Sequence, residues 1–100
     1  MSNVLNTAQY VPTRKETRMY LDQVKSILIG VLNLGAKGEQ LDAQSPLLGA
    51  LPELDSMAVV SLIGQLEEQF GISVYDDDIS ASTFETLGTL SAFVAQKMAR

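Results

Sequence analysis

The chain has 100 residues, 46% of them apolar but only 6% aromatic, with no tryptophan, so it has room for one domain around one aliphatic core. It has no cysteine and no histidine, which removes disulfides, thiolate chemistry, the common nucleophile–base pairs and most transition-metal sites, and a non-catalytic role is expected. The net charge of −5 is unevenly laid out, with no base between Lys37 and Lys97, a field that repels nucleic acid and anionic lipid and attracts basic protein surfaces.

The first stretch, MSNVLNTAQYVPTRKE, is polar and has no signal-peptide hydrophobic region, so a cytoplasmic location is expected. Residues 1–12 show no periodicity and end at Pro12, which reads as a flexible arm ahead of a single domain over 13–100. Thr13 and Glu16 have the spacing of a capping box, in which each side chain satisfies the other's orphan N–H. Leu21, Val24, Ile27, Leu28, Val31 and Leu32 then recur at three- and four-residue intervals and predict a first helix, with Gly35 as its stop.

Residues 36–55, AKGEQLDAQSPLLGALPELD, form a long connection. Loops of this length are uncommon unless functional or packed down. Leu41, Leu47, Leu48, Leu51 and Leu54 argue for packing, and Pro46 and Pro52 stiffen the path. A second helix follows, with Val59, Leu62, Ile63, Leu66 and Phe70 on one face and Gly71 ending it. Ile72 to Val74 looks extended but has no partner strand. Asp76, Asp77 and Asp78 suit the start of a short third helix around Ile79. Ser82 or Thr83 is the expected cap of a last helix with the stripe Phe84, Leu87, Leu90, Phe93, Val94 and Met98. Lys97 and Arg100 would complement its C-terminal dipole. The reading is all-α, three longer helices and one short one.

Two acidic clusters carry little specific chemistry. Asp76–Asp78 lacks the spacing and the distal glutamate of a calcium loop, so a charged helix start is the simpler account and no metal site is expected. Glu67 and Glu68 are adjacent, point about 100° apart on a helix, and do not converge on one bond as an acid–base pair would.

The start of the second helix, LPELDSM, is more informative. Either Asp55 or Ser56 could cap it, so one of the two is redundant in that role. A serine there also faces the positive end of the helix dipole, which favours a phosphodiester. Local chemistry alone leaves a plain cap the simpler choice. Off the buried stripe, however, Met57, Val60 and Gly64 make an adaptable apolar strip, framed by Glu53, Glu67 and Glu68. Such a strip is either ordinary surface or a docking face.

These features together resemble the acyl carrier proteins, whose mark is G-x-D-S-[LM] before an amphipathic helix. Asp55-Ser56-Met57 carries that mark here. Leu62 to Ile72 reads L-x-x-Q-L-E-E-x-F-G-I in the manner of the family, and Thr83 to Leu90 matches its start of the last helix. The resemblance implies a four-helix bundle with a long loop between helices 1 and 2. It implies that Ser56 Oγ receives a 4′-phosphopantetheine from coenzyme A through a Mg²⁺-dependent phosphopantetheinyl transferase, with Asp55 beside it. The arm's thiol would hold acyl groups as thioesters, which explains how a chain without cysteine could do thioester chemistry.

The same resemblance implies docking to acyl-activating and acyl-transferring enzymes with basic surfaces, through Glu53, Met57, Val60, Gly64, Glu67 and Glu68. A short acyl chain would lie between the second and third helices near Leu66, Ile79 and Leu87. A monomer is expected. Glu53 stands where the family usually has glycine, and Ala58 and Ser61 where many fatty-acid carriers have acids, which favours a specialised, stand-alone carrier. The wording around Ser56 is similar to that of carriers found with bacterial polysaccharide-export or exosortase-type gene sets. An aminoacyl or peptidyl carrier would share the fold and the serine, and an unmodified helical interaction domain would need Ser56 only as a cap. A carboxylate-based hydrolase is disfavoured by the missing histidine and convergent acid pair.

Overall fold

Thr13 N–H donates to Glu16 Oε1 at 2.8 Å, and Glu16 N–H donates to Thr13 Oγ1 at 3.1 Å, so the expected capping box closes and starts helix α1, Arg14–Leu32. The computed structural model describes residues 13–98; the arm expected over 1–12 and the terminal Arg100 lie outside the described residues. Of the α1 stripe, Val24, Leu28 and Leu32 are buried and Leu21, Ile27 and Val31 pack half-buried against them. The helix ends earlier than expected, with its cap two residues before Gly35. Asn33 takes the left-handed conformation at φ 57°, and its N–H donates to Ile29 O. Asparagine tolerates this backbone better than other side-chain-bearing residues.

Gly35, with a positive φ of its own, instead opens a four-residue helix, α2 (Ala36–Glu39), for which the sequence offered no periodic signal. The rest of the long connection is packed down as expected: Leu47, Leu51 and Leu54 are buried and Leu41 is partly so. Leu48 departs from that expectation and remains 43% exposed. Helix α3 (Ser56–Phe70) buries Leu62 and Leu66 on the expected face, and Gly71, at φ 65°, terminates it.

Beyond Gly71 the chain differs in detail from expectation. The three aspartates do not precede a helix; Asp76–Asp78 is itself a 3₁₀ turn, and a second 3₁₀ turn covers Ala81–Phe84. Asp78 closes that turn on itself, its Oδ2 accepting the Tyr75 N–H at 2.9 Å. Helix α4 (Leu87–Met98) is headed by Thr86, not by Ser82 or Thr83. Thr86 N–H donates to Thr89 Oγ1 at 2.9 Å and Thr89 N–H donates to Thr86 Oγ1 at 3.0 Å. Phe84 is therefore buried from the preceding turn, outside the helical stripe, and Met98 is largely exposed.

The architecture is all-α, with three longer helices and one short one. Helix α1 packs most extensively along α4 and then along α3. The core is aliphatic apart from Phe84, and the single buried polar residue among the described ones, Ser91, donates from Oγ to Leu87 O at 2.8 Å. The long connection is stitched across the start of α4: Leu47 N–H donates to Glu85 O at 2.9 Å, and Gly88 N–H donates to Ala43 O at 2.8 Å. That stitching fixes where α3 begins.

Candidate functional site

The site is built from the approach to α3. Leu51 and Leu54 drop into the core on either side of Pro52, so the backbone reaching Asp55 is anchored by buried leucines. Asp55 adopts an extended backbone at φ −107° and ψ −173°, and its Oδ1 accepts the Ala58 N–H at 2.9 Å. The redundancy in the sequence is thereby resolved: Asp55 is the cap. Ser56 is the first helical residue, exposed, and among the described residues nothing engages its hydroxyl. An exposed hydroxyl at the positive end of a helix is a suitable place for an esterifying phosphate.

The strip beside it is as open as its spacing suggests. Met57 is 79% and Val60 is 70% exposed, and a side chain added at Gly64 would meet open space. Glu68 is exposed as well, while Glu67 is half-buried, with Oε2 accepting the Val74 N–H at 2.9 Å. Glu67 thus also hooks the segment after Gly71 to the last turn of α3. Glu53 is not free: Lys37 Nζ lies 2.8 Å from its Oε2 and 3.1 Å from its Oε1. The Lys37 hydrogen bond, aided by a backbone N–H, holds the Glu53 carboxyl below the usual carboxylate range. Lys37 is the residue that sequence reasoning passed over; its only signal was its place as the last base before a long base-free stretch.

Leu66 and Leu87 are fully buried and Ile79 is half-buried against the same core, so an acyl chain lodged among them would have to part packed side chains. A separate open groove of about 840 Å³ runs between α1 and α3, lined by Ile27, Gly30, Val31, Ser61, Gly64 and Glu68. The aspartates 76–78 form no metal-holding cluster among the described residues, and Asp78 is engaged by Lys97 at 2.6 Å. No helix among the described residues is long and apolar enough to cross a membrane.

The pattern of the phosphopantetheine attachment site family matches residues 22–94, from the middle of α1 to the middle of α4. The chain belongs to the acyl carrier proteins. Among solved structures, that of a holo acyl carrier protein from Nitrosomonas europaea, determined in solution by NMR, is 57% identical. The match covers 81% of this chain and 98% of that one, with a TM-score of 0.77. No protein with a curated function matches the chain. The prosthetic group of this carrier family is a covalent 4′-phosphopantetheine.

Proposed function

We propose that Ser56 is the attachment point and that the carrier presents acyl thioesters to enzymes with basic docking surfaces. The observation that carries this reading is the division of labour at the head of α3. Asp55 takes the cap, and the Ser56 hydroxyl is left exposed and unengaged. Ser56 Oγ would attack the pantetheine-side phosphorus of coenzyme A, breaking the pyrophosphate bond. 3′-Phosphoadenosine-5′-phosphate leaves, and the serine proton goes to a base on the transferase. When bound, the group supplies the terminal thiol that this chain lacks. The chain's own part is to hold that serine rigidly, to offer Met57 and Val60 as apolar contacts, and to attract basic partners through Glu67 and Glu68, with Glu53 adding what its pairing with Lys37 leaves.

The chain itself is not an enzyme in this reading, and it works as a cytoplasmic monomer. Glu53 in place of glycine, with Ala58 and Ser61 in place of acids, supports a specialised stand-alone carrier over one of primary fatty-acid synthesis. The test is direct. With coenzyme A, Mg²⁺ and a broad-specificity phosphopantetheinyl transferase, mass spectrometry should show one phosphopantetheinyl adduct. Ser56→Ala should abolish it while leaving the unfolding free energy within about 0.5 kcal/mol of wild type, as expected for an exposed position that is not the cap. An adduct surviving in Ser56→Ala would refute the assignment.

A further inference from the structure

The docking acid that precedes Ser56 by three residues is paired within the molecule before any partner arrives. Lys37 reaches both carboxylate oxygens of Glu53, at 2.8 and 3.1 Å, from sixteen residues away in the chain. Helix α2, which carries Lys37, is locked in place. Its Gly38 is buried, and a Cβ there would collide with Ile29 Cγ1. Its last carbonyl, Glu39 O, accepts a hydrogen bond from Lys25 Nζ at 2.8 Å. On the other side, buried Leu51 and Leu54 fix the segment that carries Glu53. The pair therefore joins two anchored pieces of backbone, yet its side chains are 49% and 36% exposed.

An ion pair so open to solvent adds little to stability. Its larger effect is on the field that an incoming protein meets. Lys37 is the last base before Lys97, and it offsets the charge of Glu53, three residues before Ser56. We propose that Lys37 is a specificity-determining residue: by masking Glu53 it lowers the acidity of the approach to Ser56 and disfavours engagement by strongly basic partner surfaces. Without the mask, Glu53, Glu67 and Glu68 would all face such a partner. With it, the N-terminal end of α3 is read through Met57 and Val60, and charge recognition shifts toward Glu68 at the far end. Lys37 acts through Glu53 and touches no reacting atom.

This inference rests on Ser56 being the attachment point, and its test separates the two. Rates of phosphopantetheinyl transfer from coenzyme A by a transferase with a basic docking face would be measured for the full chain at low and high salt. Lys37→Ala should raise kcat/KM by about two- to fivefold at low ionic strength, and the gain should vanish in roughly 0.5 M salt. Glu53→Gln, which leaves Lys37 unpaired, should lower kcat/KM by a similar factor, and the two opposite effects should cancel when combined. A merely structural brace predicts otherwise: both single variants lower the rate, without a change of sign and without salt dependence. If Lys37→Ala fails to fold, Lys37→Met keeps the aliphatic stem and carries the same expectation. A folded Lys37 variant that loads at Ser56 at the wild-type rate or slower overturns the mask alone. Wild-type protein that takes no adduct, or an adduct that persists in Ser56→Ala, overturns the attachment assignment.

Discussion

The two connections between the long helices are held by different forces. The first, from Asn33 to Asp55, roots itself with Leu34, Leu47, Leu51 and Leu54, all buried, and crosses the head of α4 with backbone hydrogen bonds. The second, from Gly71 to Thr86, buries only Phe84 among its described side chains, close to the head of α4; before it Ile72, Val74, Asp78, Ile79 and Thr83 reach only half-burial. It is held instead by charged and polar ties: Glu67 to the Val74 N–H, and Asp78 to Lys97 and the Tyr75 N–H. Apolar burial fixes the connection that delivers Ser56. Charged and polar ties hold the stretch from Gly71 to Thr83, ahead of the buried Phe84, and opening there should cost less free energy.

The comparison breaks most visibly in the first connection. Leu47 has no exposed surface, so Leu47→Ala should cost about 2–5 kcal/mol. A domain of this size has only about 5–15 kcal/mol in total. Ile79→Ala, in the second connection, should cost less than half as much because Ile79 is half-buried. Urea midpoints at neutral pH compare the two, and equal losses would remove the distinction. Next in size is Gly88→Ala. A Cβ at Gly88 would stand 2.6 Å from Ala43 O, a backbone atom that cannot swing aside. The strap over α4 would have to shift, at a cost of about 1–3 kcal/mol. The same urea titration should register that loss, and chemical shifts should move along residues 43–47 while those of 72–78 stay in place.

How legible each part was follows from the range of the forces involved. The long helices α1, α3 and α4 were readable because Val24, Leu28, Leu62, Leu66, Leu90 and Val94 recur with the helical period, and because a capping box and Gly71 are local signals. Ser56 was readable from its motif, but local chemistry left it interchangeable with Asp55. Only the geometry gave the cap to Asp55. Helix α2 escaped because four residues cannot show a period, and its formation depends on Gly38 fitting against Ile29. The stop at Asn33 escaped because asparagine and glycine compete for the same left-handed position, and Gly35 looked the stronger candidate. The pairs Lys37–Glu53 and Lys97–Asp78 lie sixteen and nineteen residues apart in sequence, so no local pattern marks them.

The smallest expected effect tests the electrostatic half of the comparison. Lys97 Nζ sits 2.6 Å from Asp78 Oδ2 and over the rings of Tyr75 and Phe93, at 5.5 and 5.9 Å from their centroids. The hydrogen bond from Lys97, seconded by the Tyr75 N–H, lowers the Asp78 carboxyl from its ordinary range. A carboxyl lowered in the folded state contributes stability that is present above the unfolded value, near pH 4, and is lost as pH falls through the lower folded value. Lys97→Met keeps most of the stem over the rings and removes the charge, and it should cost about 1 kcal/mol at pH 7. Protonating Asp78 removes the ion pair from the wild type as well, so the difference between the two proteins should shrink as pH falls through the lowered Asp78 value. The Glu53 carboxyl titrates in the same direction in both proteins and cancels from that difference. A gap that stays constant with pH would mean that the Lys97 charge acts on the Tyr75 and Phe93 rings and not on Asp78, and the ion pair would drop out of the contrast between the two connections.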